Sequence, residues 1–317
     1  MASFLTAAFA ALGESSIGGA IVRILIAYGI SRLINGSQNS NSPTTPIDKG
    51  VRLQLSPDTT NPIPLVYGST YLGAKVTDGQ ITDANQTMWY CLTIAESSDG
   101  TRLSDGASIV NNIEEIYMNN NRVVLQSDGV TVDYVYTQDP SGTKSVDKNA
   151  NGLVKIYLFN NGSGSPVLPT DHVSGATVPT ADARTLMPGW TNDSRMTNLT
   201  FALVKLTYNN SKGITSLPTF QFKVSNNVYQ PGDAIYDYLT RPISGAGLSS
   251  TQIDTDSLTA LNTYSDQEVT YIDPITFQPD TLIRYKINGL IDPSKKIFDN
   301  LQQLANASGS FINYDIT

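Results

Sequence analysis

One cysteine and one histidine stand among 317 residues. A lone Cys91 rules out an intrachain disulfide framework and a cysteine-based zinc site. A lone His172 rules out a histidine-rich metal site. Basic residues are few, with 20 Lys and Arg against 28 Asp and Glu, a net charge of −8 and a pI near 4.6. Sequence-nonspecific nucleic-acid binding needs the opposite sign. The sequence has no G-x-x-x-x-G-K-[ST] loop and no G-x-G-x-x-G loop to cradle phosphates. Met1–Leu12 carries no charged side chain, so the positive leader of a secretory signal is missing. No fixed-period repeat is present.

These absences leave few catalytic candidates, and each has a plainer explanation. A Cys91–His172 dyad is formally available. Cys91 lies within the apolar run TMWYCLTIA and His172 in a polar loop, which reads as a buried, inert thiol. Asp254 and Asp256, or Glu114 and Glu115, could suggest a glycosidase pair. Asp254 is explained as a helix cap, and neighbours in a strand such as Glu114 and Glu115 point to opposite faces. Sequons such as Asn85-Gln86-Thr87 and Asn198-Leu199-Thr200 follow from an Asn/Ser/Thr-rich composition. No catalytic residue, cofactor or metal is expected. The 16 tyrosines could line a sugar-binding face; at strand positions they more often mark cross-strand packing and subunit interfaces.

What is abundant is turn and strand chemistry. Hydrophobic residues make up 40% and charged residues only 15%, with 24 glycines and 16 prolines. The alternation of Val51, Leu53 and Leu55 predicts a first strand. Ile63, Leu65 and Tyr67 alternate next, with Pro62 and Pro64 suited to an edge strand. Thr87–Ala95 is a strand buried on both faces, or one that crosses an interface. Ile113–Met118 and Arg122–Gln126 form a hairpin around Asn119-Asn120-Asn121. Val130, Val132, Tyr134 and Tyr136 alternate, as do Val154, Ile156 and Leu158. Phe201–Tyr208 and Phe220–Val224 complete the strands. Asn160–Asn198 is too long for a bare loop, so it is a small irregular insertion or a wrap around a neighbour.

Ahead of this body lies an apolar arm, residues 1–34, and a linker by composition, Asn35–Pro46. Arg23 and Arg32 weaken a membrane span. Nine residues apart, they fall on opposite sides of a helix, which no two-faced membrane-surface helix shows. Ile17, Ile21, Leu25, Ile26, Ile30, Leu33 and Ile34 are therefore the candidate subunit-interface residues. Gly18, Gly19 and Gly29 would allow close helix approach. Burying each large side chain is worth ~1.5–3 kcal/mol.

The stretch from Asn227 to the end is the most punctuated. Asp233–Leu239 reads as a helix ended by Pro242, with Gly245 and Gly247 turning the chain. Asp254 caps a second helix carrying Leu258, Leu261 and Tyr264. Leu282–Ile287 is a strand and Asn288-Gly289 a turn. Asp292 caps a third helix with Pro293 at its first position. Ile297, Phe298, Leu301, Leu304 and Ala305 form its stripe and Gly309 stops it. Ser310–Tyr314 begins another strand.

In order and spacing, the segments AIYDYLTRPISGAGL, NTYSDQEV and RYKINGLIDPSKKIFDNLQQLANASGSFINYD resemble the central tail-tip (baseplate hub) protein of long-tailed phages. The family is the lambda-type host-specificity family with its gene-transfer-agent relatives. NPIPLVYGSTYLGAKV is similar to the usual entry to that hub. One departure is Ser265 after Tyr264, where a cysteine is common. The resemblance implies an α+β, β-dominated chain of hub-type β-barrel or β-sandwich domains. It would be divided into arm and linker (1–48), β-rich body (49–226) and mixed α/β unit (227–317). It implies a homotrimer at the distal end of the virion tail, partnered by distal tail or tube proteins and the tape-measure protein. DNA would pass through without specific binding, past an acidic wall that repels it. Members continue well past the position of Thr317, so the chain is expected to be the N-terminal part of a hub or a short form. A receptor-binding adhesin is the alternative. Transient contact of the arm with the host envelope is a further expectation, beside burial of a helical arm, residues 1–34, against other tail-tip chains or against the same arm of the other copies.

Overall fold

Strand β4 (Thr87–Glu96) is the spine of the architecture. Its apolar run is buried over most of its length because strands pair on both of its edges and side chains cover both faces. The structure, a computed structural model, describes residues 62–138 and 144–313. The arm, the interface candidates from Ile17 to Ile34, and the Val51–Leu55 strand lie outside the described residues.

Two six-stranded sheets carry the fold. The first takes β1 (Leu65–Tyr67), β3 (Lys75–Thr82), β4, β9 (Val154–Phe159), β10 (Leu199–Thr207) and β14 (Gly289–Ile291). Its order is β14-β1-β4-β10-β9, with β3 also on β4. The second takes β2 (Ser69–Gly73), β5 (Asn111–Met118), β6 (Asn121–Leu125), β7 (Val132–Gln138), β8 (Lys144–Asp147) and β11 (Phe220–Asn226), in the order β2-β11-β5-β6-β7-β8. β12 (Glu268–Ile272) and β13 (Pro279–Ile283) form a separate hairpin. The helices are α1 (Ala183–Leu186, a single turn), α2 (Pro231–Thr240), α3 (Thr255–Ser265) and α4 (Ile297–Ala307). Among the described residues strand outweighs helix, 36% to 18%, so the fold is β-dominated. No helix among the described residues is long and apolar enough to cross a membrane.

Three apolar layers follow from strand alternation. Leu92, Ile94, Ile156, Ala202 and Val204 of the first sheet meet Leu72, Ile113, Ile116, Val135 and Phe222 of the second in one core. The opposite face of the first sheet presents Trp89, Cys91, Phe159, Phe201 and Leu203. The segment 160–198 covers that face through Val178, Ala183, Leu186, Met187 and Trp190. It is therefore the irregular insertion, and Phe159 stacks on Phe201 beneath it at 4.6 Å. β1 splits by parity: Val66 enters the first core, while Leu65 and Tyr67 face α2 and α4. The hairpin expected around the three asparagines forms, with a two-residue turn, since Asn121 already opens β6. Asn119 (φ 52°) and Asn120 (φ 65°) both take the left-handed conformation that a two-residue hairpin turn needs.

Several predicted elements are corrected. β1 is not an edge strand; β14 pairs on one side and β4 on the other. The strand expected at Leu282–Ile287 lies earlier, in β13, paired with a β12 that shows no buried face and so no periodic signal. Asn288-Gly289 is no hairpin turn: Asn288 Oδ1 accepts from the Ser69 amide at 2.9 Å, and Gly289 opens β14. The last helix begins at Ile297, because Asp292 instead caps a turn, accepting from Ser294 N at 2.9 Å and Ser294 Oγ at 2.6 Å. That later start leaves Ile297 and Phe298 exposed while Leu301, Leu304 and Ala305 are buried. Tyr264 is also exposed, and Ser310–Asn313 is not a strand.

Candidate functional site

The densest polar chemistry lies in a buried seam between α2 and the first sheet. α2 starts two residues before the expected Asp233, with Pro231 at its first position, and ends just before Pro242 as expected. Its inward stripe alternates apolar Ala234, Ile235 and Tyr238 with two carboxylates, Asp233 and Asp237, that are 1% and 3% exposed. Buried carboxylates are costly unless their oxygens are satisfied. Both are. Asp237 Oδ2 accepts from Tyr67 Oη at 2.7 Å and Arg241 Nε at 2.6 Å, and Oδ1 accepts from Ser98 Oγ at 3.1 Å. Arg241 Nη1 donates to Glu96 Oε1 at 3.1 Å, which also accepts from Ser244 Oγ at 2.8 Å. Asp233 accepts from Ser104 N and Oγ at 2.9 and 2.7 Å and from Asn262 Nδ2 at 2.9 Å. A third knot joins Asn226 to the β1 end: Gly68 N and Val228 N donate to Asn226 Oδ1 at 3.0 and 3.1 Å.

Burial, then the Asp237 charge, raises the Tyr67 phenol well above its ordinary range. Burial works against the Arg241 charge, but Asp237, Tyr67 and Glu96 outweigh it and push the guanidinium pKa higher still. Tyr67 therefore stays a neutral donor and Arg241 stays a cation. The seam is a fixed joint in which neither Tyr67 nor Arg241 titrates near neutral pH.

The other candidates are apart from it. Cys91 is fully buried in β4, and burial pushes its thiol up to about 12. His172 is exposed on the loop after β9, with Nδ1 2.8 Å from the Pro169 carbonyl. Native chain should thus react with an aromatic disulfide reagent at least ~100-fold more slowly than denatured chain, because the thiolate is the nucleophile. Equal rates in the two states would overturn the assignment of Cys91 as inert. Asp254 caps α3, accepting from Ser257 N at 3.1 Å. Glu114 and Glu115 depart from expectation. A register shift opposite Lys223 and Val224 inserts a bulge. Both carboxylates then reach Lys223 Nζ, at 2.8 and 3.5 Å.

That bulge belongs to the outward face of the second sheet, which bears a stripe of tyrosines. Tyr71 meets Tyr117 edge to face at 5.8 Å, and Tyr134 meets Tyr136 likewise at 5.3 Å. Arg122 holds Asp171 at 2.6 Å between them. Beside Tyr134 and Tyr136 is a hollow of about 190 Å³ that also touches Arg122, Val124, His172 and Val173. It is smaller than the ~300–1,000 Å³ usual for small-molecule sites. Among the described residues, no three His, Cys, Asp or Glu side chains cluster to hold a metal ion.

Sequence reasoning named Asp233 only as a helix start and missed the seam. Its signal was present: two acids on the apolar face of a short helix, four residues apart. No protein-family model matches this chain, and no curated protein does.

Proposed function

We propose that this chain is a structural phage tail-tip hub: a ring at the distal end of the tail tube that organises other tip proteins and surrounds the DNA exit path. Three copies each contribute two barrel-like β units, matching a six-fold tube. The partners are distal tail or tube proteins and the tape-measure protein. The action is mechanical, and no catalysis is involved.

One observation carries the reading. The two stretches that resemble the family are about 170 positions apart, and their residues meet in the buried seam. Tyr67 of the PIPLVYG stretch donates to Asp237 of the YDYLTRP stretch, and Arg241 reaches Glu96. Gly68 packs against the Ile287 carbonyl of the RYKING stretch. Such residues hold the two stretches in register, which suits a ring that must keep its shape and gives a reason for the stretches to occur together. The adhesin reading draws on a different observation, the outward stripe of Tyr71, Tyr117, Tyr134 and Tyr136. Aromatic side chains of this kind are common in contact surfaces of any class, so the stripe serves a ring as well as a receptor site.

The test is an image of the intact particle with the chain fitted. Three copies around the axis at the end of the tube are expected. A single peripheral copy, or a copy on a side fibre, would contradict the hub and favour the adhesin.

A further inference from the structure

The β12–β13 hairpin projects with both faces uncovered. Val269, Tyr271, Ile272, Ile275, Phe277 and Leu282 are all exposed, Ile275 at 85% and Phe277 at 76%. An isolated two-stranded hairpin is marginal in water. This one nevertheless has a built tip. Asp273 Oδ1 accepts from Ile275 N at 2.7 Å, and the Asp273 carbonyl accepts from Phe277 N at 2.8 Å. Asp273 N in turn donates to the Gln278 carbonyl at 3.0 Å. Phe277 sits at φ +54°, a conformation that costs a bulky residue ~1–3 kcal/mol. The backbone is thus held in strain to aim an aromatic ring outward. An apolar surface of this kind calls for a cover.

We infer that the cover is the chain's own N-terminal arm, residues 17–34, laid along the hairpin. Charge is the first argument. Residues 268–283 carry Glu268, Asp273 and Asp280 and no Lys or Arg, while residues 17–34 carry Arg23 and Arg32 and no Asp or Glu. The arm brings eight isoleucine and leucine side chains to a surface of six exposed apolar ones. Its two arginines can meet Glu268 on one strand of the ribbon and Asp280 on the other. Reach is the second argument. The described chain starts at Pro62 and enters β1, which pairs with β14. The irregular chain that leaves the hairpin base after β13 passes Ile287, whose carbonyl lies against Gly68 at the end of β1. A five-residue strand is about 17 Å long. A linker the length of residues 35–61 spans about 26–31 Å without being fully extended. Fully extended, those 27 residues would cover roughly 90 Å, enough to pass β1 and residues 284–288 and still reach the hairpin from its own chain. The inference does not depend on the hub reading.

Amide hydrogen exchange on the purified full chain tests it. Amides of residues 268–283 exchange at least tenfold faster when residues 1–34 are deleted, and the rest of the body is unchanged. The double variant Arg23→Glu/Arg32→Glu speeds the same amides. Reciprocally, Ile275→Ser/Phe277→Ser, both at exposed positions, makes the bonds after Arg23 and Arg32 at least tenfold more sensitive to trypsin. Hairpin exchange that is identical with and without the arm overturns the inference. So does protection that survives the deletion and rises with protein concentration, since a second copy is then the cover. Failure here leaves the tail-tip reading to its own imaging test.

Discussion

Asp237→Ala lowers the unfolding free energy by about 3–5 kcal/mol. The carboxylate sits at 3% exposure and is the counter-charge of Arg241, itself 8% exposed. Its removal leaves a buried guanidinium with only Glu96 as partner and strands the Tyr67 hydroxyl and Ser98. Breaking a buried pair from one side costs that much because the remaining charge keeps its desolvation penalty and loses the attraction that offset it. Tyr67→Phe is a milder probe. It takes one donor from Asp237 and leaves Ser98 and Arg241 in place, so ~1 kcal/mol is expected. The decisive partner is the double variant Asp237→Ala/Arg241→Met. Removing both charges should recover most of the single-variant loss, since apolar replacements of buried pairs are often neutral. Denaturant midpoints measured at constant slope give the comparison. A loss below 1 kcal/mol for Asp237→Ala, or no recovery in the double variant, would show that the seam does not hold the helix to the sheet.

The second large effect is at Gly68. Its φ is +67°, and a Cβ there would lie 1.9 Å from the Ile287 carbonyl oxygen and 2.4 Å from Asn288 Oδ1. Gly68→Ala therefore combines left-handed strain with a backbone clash, about 2–5 kcal/mol together. Gly152 is the internal control. It has φ +70° and nothing within 4 Å of the added carbon, so Gly152→Ala should show the strain alone, ~1–2 kcal/mol. If the two substitutions cost the same, the close approach between β1 and the chain entering β14 is not what requires glycine at position 68.

Much of the fold was legible because local chemistry and burial agree. The apolar run at Thr87–Ala95 became the central strand. Asn119 and Asn120 became a left-handed hairpin turn because asparagine tolerates that conformation better than most residues. Pro242 ended α2, and Asp254 capped α3. The misreadings occur where a contact distant in sequence claims a residue that has a local alternative. Asn288 is half of a good turn dipeptide, but its side chain is taken by the Ser69 amide. Asp292 could cap a helix, yet it follows a strand that must first turn, so it caps the turn. Ser310–Asn313 has strand-like residues and no strand beside it. β12 was missed because a ribbon exposed on both faces leaves no periodicity to read.

The candidate site divides in the same way. The sequence alone determined what chemistry is scarce: one thiol, one imidazole, few cations, no phosphate loop. It also determined the β-rich body, the capped helices and the acidic balance, since these are set by composition and by spacing within a few residues. The tertiary structure decided which polar residues became partners. Tyr67 and Asp237 are 170 positions apart and read separately as a strand residue and a helix residue. Only the packing of α2 on β1 removes water from both, and that desolvation makes them depend on each other. The same holds for Glu114 and Glu115. Alternation sends neighbours to opposite faces, but the register against β11 forces a bulge, and one lysine then gathers both. Pairing register and desolvation are properties of the assembled sheets, and no single segment contains them.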